Sequence, residues 1–196
     1  MSDAPAGDPA IGLGQMQAAD PSFNLELFKR QAIDTFMAVK NAVQQRDLSP
    51  VRDMLTDPVY EDLRIYVSGL VDRDATSLDA GLVPAEVAVA AAEHGSQGDA
   101  ITLRIRAATL QYLASQGRES DVGPALYGSF TEFWTFSRPP GAGTRVAQRP
   151  ECPICGAPVD INTGRICRYC KTLMPSPRAQ TGWVVAAIRP AQESRD

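Results

Sequence analysis

The sequence has few of the features that secretion, membrane insertion or disulfide bonding require. Its 196 residues contain no apolar run near the roughly 18 residues that span a bilayer. The first basic residue is Lys29, so the N-terminal segment resembles neither a signal peptide nor an arginine-rich mitochondrial presequence. Four cysteines are too few to build a disulfide-rich fold. We therefore expect a cytoplasmic protein without a transmembrane segment.

Catalytic motifs and histidine are equally scarce. The chain contains no GxSxG, Walker A, HExxH or GxGxxG motif. The single histidine, His94, precedes Gly95-Ser96-Gln97-Gly98, which is typical of a hairpin turn, and there a solvated side chain is favoured over a general base. The sequence therefore predicts no catalytic residue, and we expect a protein that is not an enzyme.

Charge is unevenly distributed along the chain. The formal net charge of −4 combines an acidic segment with a basic one. Residues 1–137 contain ten Lys and Arg against nineteen Asp and Glu, whereas residues 138–178 contain seven Lys and Arg against two Asp and Glu. The basic residues of the second segment are Arg138, Arg145, Arg149, Arg165, Arg168, Lys171 and Arg178. They could bind phosphates of nucleic acid or of anionic lipid. Tyr169 is the only aromatic residue there, so the stacking surface of many single-strand binders is missing, which disfavours nucleic acid.

The first third of the chain predicts helices. Residues 1–22, rich in Ala, Gly, Pro and Asp, are predicted to be a disordered tail. Asn24 is the expected N-cap of a helix that ends near Arg46, with Phe23 and Phe28 as its hydrophobic staple. Its apolar residues recur at steps of three and four, namely Leu25, Phe28, Ala32, Phe36, Val39 and Val43. Ser49-Pro50 and Asp57-Pro58 then predict a short helix and a longer one that ends before Asp72.

Three strands are predicted after Gly81, roughly at 83–93, 100–113 and 126–137, and a fourth at 182–188. The middle run alternates apolar residues, Ile101, Leu103, Ile105 and Ala107, with polar ones, so one face is expected to be buried. Helices followed by strands predict an α+β fold with an antiparallel sheet. The cysteine segment fills the connection between two expected neighbours in that sheet.

The four cysteines form a C-x2-C-x11-C-x2-C pattern, Cys152, Cys155, Cys167 and Cys170. Each C-x2-C pair presents two thiolates to one metal ion, and zinc accepts four of them tetrahedrally. A rubredoxin-like iron site and dithiol redox chemistry are the alternatives. The pattern disfavours redox chemistry because an oxidoreductase needs one such pair at a helix N-terminus. Four cysteine ligands leave no open position, so we predict structural Zn2+ rather than a catalytic metal.

Glu132 is the one carboxylate that the strand pattern places on an apolar face, between Phe130 and Trp134. Exposure at the edge of the sheet, or pairing with an arginine such as Arg104 or Arg106, is favoured over catalysis because no second polar partner is evident.

Several segments together resemble the Tim44-like domain family. They are 20–23, the series Phe28, Ala32, Phe36 and Ala42, the runs 46–48 and 54–57 with Tyr60, and the strand ends 133–138 and 182–188. Bacterial members also carry a CPxCG and CxYC zinc ribbon between the last two strands. The resemblance implies a nuclear-transport-factor-two-like cone with helices packed into a curved sheet around an apolar cavity. Its boundaries would be 23–138 plus 181–190, with the zinc ribbon at 139–180.

Family resemblance also implies a function. Members act mainly as non-enzymatic adaptors, and the mitochondrial member binds anionic lipid and recruits a chaperone. The import role is not implied here, because the resemblance does not include that protein's chaperone-binding region. We therefore expect an adaptor for a protein partner, cytoplasmic or peripheral at the inner face of the membrane. Two alternatives stay open: a cone-fold small-molecule binder or enzyme that uses the cavity, and a nucleic-acid-binding zinc ribbon protein.

Overall fold

A computed structural model describes residues 8–72, 75–115, 126–142, 155–157, 169–171 and 182–191. Within these ranges lie the helices α1 (Pro9–Ala19), α2 (Leu25–Gln44) and α3 (Asp57–Asp72), with a 3-10 helix at Ser49–Met54. The strands are β1 (Ala75–Gly95), β2 (Gly98–Ser115), β3 (Leu126–Arg138) and β4 (Val184–Pro190). They form one antiparallel sheet in the order β1-β2-β3-β4. The predicted α+β arrangement is confirmed.

Helix α1 corrects the prediction of a disordered tail over residues 1–22. The Asp8 side chain caps the helix by accepting a hydrogen bond from the Ala10 N–H at 2.9 Å, and Met16 is fully buried. Gly12 packs so closely on β1 that an added Cβ would lie 2.0 Å from the Ala92 carbonyl oxygen. The prediction was wrong because the two buried positions of α1, Gly12 and Met16, do not produce a periodic apolar stripe. Residues 1–7 lie outside the described ranges.

Helix α2 follows the sequence prediction closely. The Asn24 side chain accepts a hydrogen bond from the Leu27 N–H at 2.9 Å, and the Phe23 and Phe28 rings lie 6.2 Å apart, as the predicted cap and staple require. Its buried face consists of Phe28, Ala32, Phe36, Val39 and Ala42. Phe36 packs edge-on against Trp134 at 5.2 Å between ring centroids, so α2 covers the inner face of the sheet.

The short helix at Ser49–Met54 lies where a helix was predicted, but Ser49 is not its cap. Instead, the Asp47 carboxylate accepts hydrogen bonds from the N–H and hydroxyl of Ser49, and these bonds lower the pKa of Asp47. After this helix the chain joins the sheet: the Thr56 N–H donates to the Val185 carbonyl at 3.0 Å. Helix α3 then buries Val59 and Val67, whereas Tyr66 is about half exposed.

Strands β1, β2 and β3 extend beyond their predicted ends, most of all β1, which begins at Ala75 rather than after Gly81. Strand β4 begins and ends two residues later than predicted. This part of β1 pairs with β2, Ala75 lying opposite Ser115. Such pairing depends on a partner strand and leaves no mark on local composition. The alternation in β2 is confirmed, because Ile101, Leu103, Ile105 and Ala107 are all fully buried. Strand β4 pairs with β3, so the cysteine segment does connect two neighbours in the sheet.

In the part of the chain that the structure describes, no helix combines the length and the apolar character that a membrane crossing requires.

Candidate functional site

A pocket of about 430 Å³ lies between α2, α3 and the strands β3 and β4. Apolar side chains from all four elements line it, namely Val39, Val43, Leu63, Leu70, Trp134 and Ile188. Its polar side chains are Lys40, Gln44, Arg46, Tyr66 and Glu132. The pocket lies next to the contact between Phe36 of α2 and Trp134 of β3, and residues of the last turns of α2 line it together with residues of α3.

Lys40 and Glu132 form an ion pair in this pocket, here called the pocket pair. Lys40 Nζ lies 2.6 Å from Glu132 Oε1, and Glu132 Oε2 accepts a hydrogen bond from Trp134 Nε1 at 2.8 Å. About a fifth of each charged side chain is exposed. Lys40 Nζ also lies over the Phe130 ring, 4.8 Å from its centroid, which is a cation–π contact. The pair thus combines charge, partial burial and a neighbouring cavity.

The prediction that an arginine pairs with Glu132 was wrong, because its ionic partner is Lys40. Arg104 alternates with the buried residues of β2 and therefore points to the outer face, where it pairs with Glu86. Glu132 instead points to the inner face, where Lys40 of α2 reaches it. The inner-face placement agrees with the strand pattern, but Lys40 was missed because 92 residues separate it from Glu132.

A second group of charges, here called the Arg138 cluster, consists of Asp20, Asp99 and Arg138. Arg138 Nη1 donates to Asp20 Oδ2 at 2.9 Å and its Nε donates to Asp99 Oδ2 at 2.6 Å. The guanidinium carbon lies 4.9 Å from the centroid of a Trp183 ring. All three charged residues are buried. The cluster therefore joins the C-terminal end of α1 to the start of β2 and the end of β3.

The Arg138 cluster removes Arg138 from the basic residues that could bind phosphates. Only 3% of Arg138 is exposed, and two carboxylates already bind it. His94, at the neighbouring hairpin, is exposed as predicted, and its Nδ1 lies 2.5 Å from Asp99 Oδ1. His94 therefore borders the Arg138 cluster.

The cysteine segment is described only around its second and fourth cysteines. Cys155 is exposed and Cys170 is half-buried, whereas Cys152 and Cys167 lie outside the described residues. The residue after each described cysteine has a left-handed backbone, with φ of 66° at Gly156 and 61° at Lys171. For the residues that the structure covers, no group of three or more His, Cys, Asp and Glu side chains could hold a metal ion.

In a comparison with protein families, a family model of the Tim44-like domain matches residues 10–146. A comparison with curated proteins gives no match. The matched range contains α2, α3 and the strands β1, β2 and β3. It also begins within α1, in agreement with the helix that the sequence pattern missed. Because the match covers well over half of the sequence, the chain belongs to the Tim44-like domain family.

Proposed function

We propose that this chain is a non-enzymatic adaptor that binds a partner protein through its Tim44-like domain. The observation that carries this proposal is the family match over residues 10–146, which suggests a protein-interaction or scaffold role. Fold alone does not establish function. The proposal therefore needs a direct test of binding. We further propose that the protein lies in the cytoplasm and contacts anionic lipid peripherally, and this needs a separate test.

We also propose that residues 139–180 form a zinc ribbon held by Cys152, Cys155, Cys167 and Cys170. The matching backbone at Gly156 and Lys171 supports this, because two equivalent turns would follow the second cysteine of each C-x2-C pair. Gly156 has no Cβ to oppose a positive φ, whereas Lys171 adopts it at a cost. When bound, the metal would supply the folding free energy, on the order of 10 kcal/mol, that a segment with few apolar residues lacks.

The domain boundaries are then a proposal as well. The α+β domain would comprise residues 8–138 with 181–190, extended at its start by α1, and the ribbon would be inserted before β4. The Arg138 cluster supports a domain with its own core, because its buried charges join the end of α1, the start of β2 and the end of β3.

Metal content tests the ribbon. Purified protein should contain one zinc per chain by mass spectrometry, and Cys155→Ser and Cys170→Ser should each lose it, since the two variants remove a ligand from different pairs. Far-ultraviolet circular dichroism should show that the helices survive. Retention of zinc by either variant would contradict a four-thiolate site, and iron in place of zinc would contradict the choice of metal.

Crosslinking in the native host, followed by mass spectrometry, tests the adaptor role. We expect a protein to be captured in stoichiometric amount and to bind the purified chain in size-exclusion chromatography. Phe36→Asp is the control, because it places a charge in the core and should abolish a contact that needs the folded domain. A chain that captures no such partner, or a partner that binds Phe36→Asp equally well, would overturn the proposal.

Two binding assays test the proposed contact with anionic lipid and the nucleic-acid alternative. Flotation with phosphatidylglycerol vesicles, but not with phosphatidylcholine vesicles, is the expected result for peripheral lipid contact. Salt-dependent retention on nucleic acid that weakens in Arg165→Ala and Arg168→Ala would instead favour the nucleic-acid alternative. The burial of Arg138 removes one of the seven basic residues on which that alternative relied.

A further inference from the structure

We propose that the pocket between α2, α3 and the sheet binds a small monocarboxylic acid with a compact apolar body, and that Lys40 binds its carboxylate. This function is separate from the adaptor role. It rests on the shape of the pocket, on its charges and on the hydrogen bonds of the pocket pair.

The apolar walls set the size and character of the ligand. The volume of about 430 Å³ falls in the range of roughly 300–1,000 Å³ that is typical of small-molecule sites. Trp134 and Ile188 line one side, and Leu63 and Leu70 of α3 line the other. These side chains offer only apolar contact, apart from the Trp134 N–H, which already donates to Glu132. A compact ring or a short chain fits this space, whereas a phospholipid with two acyl chains exceeds it.

The charges of the pocket favour an acid over an amine. Lys40 and Arg46 line the pocket with positive charge, and Glu132 is the one carboxylate among its described lining residues. Both oxygens of Glu132 already accept a hydrogen bond. The Lys40 ammonium has three N–H donors, of which Glu132 engages one. A ligand carboxylate can therefore join Lys40 without breaking the pocket pair.

The position of Lys40 makes such a bond stronger than on an open surface. Its ammonium lies against the Phe130 and Phe36 rings, and about a fifth of its side chain is exposed. A charge-assisted hydrogen bond gains strength where neighbouring groups exclude water. The Glu132 carboxylate and the rings also restrict the Lys40 side chain, so little conformational entropy is lost when the ligand binds.

Calorimetric titration of the zinc-loaded full chain tests the proposal, with 4-phenylbutyrate as the acid. Its primary amide and its primary amine analogue have the same apolar body without the negative charge. We expect the acid to bind roughly tenfold to hundredfold more tightly than the amide, the range of one hydrogen bond to a charged group. The amine should bind more weakly still. Equal binding of acid and amide, or tighter binding of the amine, would overturn the proposal.

Two variants of the pocket pair give opposite expectations. Lys40→Met should abolish the preference for acid over amide, because the donor is lost while the length of the side chain is kept. Glu132→Gln should strengthen binding of the acid several-fold, because Glu132 supplies the one negative charge among the described lining residues. A general defect in folding would weaken both variants, so a gain in Glu132→Gln keeps the test decisive even if Lys40→Met folds poorly. Weaker binding of the acid to Glu132→Gln would contradict the assigned role of Lys40.

Steric filling separates the pocket from other surfaces. Val43→Phe adds a ring to the pocket lining and should weaken acid and amide alike. Val83→Phe is the matched control, because Val83 lies on β1 and is 58% exposed. Unchanged binding by Val43→Phe would place the ligand elsewhere. Phosphatidylglycerol vesicles that compete with 4-phenylbutyrate would show that the pocket takes a lipid acyl chain, which would overturn the choice of a small free acid.

Discussion

On the inner face of β3, Glu132 and Arg138 both lie in ion pairs and both contact a tryptophan, yet their surroundings differ. Arg138 has two carboxylate partners, and only 2% of its side chain is exposed. In the pocket pair, Lys40 and Glu132 each have one ionic partner, and about a fifth of each side chain is exposed. A cavity lies beside them. The Arg138 cluster is closed to ligands and joins parts of the fold. In the pocket pair, the Lys40 ammonium can donate further hydrogen bonds, and it lines an open pocket.

The difference teaches that charge type alone does not separate a structural site from a binding site. Each of the two sites joins a cation, a carboxylate and an indole. In the Arg138 cluster the second carboxylate and the packed rings of Phe23 and Trp183 fill the space around the cation. At the pocket pair, the neighbouring space is lined by apolar side chains but not filled.

The largest expected effect is the loss of the Arg138 cluster. Arg138→Leu should lower the free energy of unfolding by about 3 to 5 kcal/mol, because two buried carboxylates lose their cation. Denaturant unfolding measures it. Arg64→Leu is the control, since Arg64 pairs with Glu61 on an exposed helix face, and it should leave stability nearly unchanged. Equal effects of the two variants would show that the Arg138 cluster is not the structural site we describe.

Helix α1 brings Asp20 to the Arg138 cluster, so a change within α1 should weaken the cluster from a distance. Gly12→Ala should destabilise the protein by about 1 to 3 kcal/mol, because the added Cβ meets the Ala92 carbonyl. Gly14→Ala is the matched control, since nothing lies within 4 Å of its added Cβ. It should stabilise the folded protein by about 0.4 to 1 kcal/mol. Thermal unfolding of both variants decides the point, and a destabilised Gly14→Ala would argue against close packing as the cause.

The pocket pair should contribute less to stability than the Arg138 cluster. Lys40→Met should cost about 1 to 2 kcal/mol, because Glu132 keeps the Trp134 hydrogen bond and water in the pocket can reach its other oxygen. The same denaturant unfolding as for Arg138→Leu measures it. A loss as large as that of Arg138→Leu would mean that the pocket pair is also a structural site, and would weaken the ligand proposal.

The smallest effect is expected for the exposed pair of Glu61 and Arg64, and it should depend on pH. Hydrogen bonds from Arg64 lower the pKa of Glu61 below its ordinary value. A carboxyl group whose pKa is lower in the folded state stabilises the fold above its unfolded pKa, and this contribution is lost as the pH falls through the folded pKa. Glu61→Gln should therefore melt slightly earlier than the wild type near pH 7. As the pH falls through this lowered pKa, the difference between the two melting temperatures should shrink, and a difference that does not change with pH would contradict this cause.

Much of the fold could be predicted because its signals are local. The steps of three and four from Phe28 to Val39 predicted the buried face of α2, and Asn24 predicted its first residue. The alternation of β2 predicted which side chains are buried. The cysteine spacing predicted the zinc ribbon, and with Cys152 and Cys167 outside the described residues it stays a prediction.

The sites could not be predicted because their partners are distant in the chain. The pocket pair joins residues 92 positions apart, and Arg138 reaches Asp20 across 118 positions. Helix α1 left no signal either, since Gly12 and Met16 contribute to packing without an apolar stripe. A pattern in sequence reports the periodicity of one element, whereas contacts between elements depend on how those elements pack.

The sequence by itself determined the α+β class, the inner face of the sheet and the candidate metal ligands, because periodicity and spacing are properties of a single segment. Only the tertiary structure decided what the charged residues do. It buried Arg138 between two carboxylates, and it placed Lys40 and Glu132 at the edge of a cavity. The physical reason is that the effect of a charge depends on its partners and on the water around it, and packing sets both.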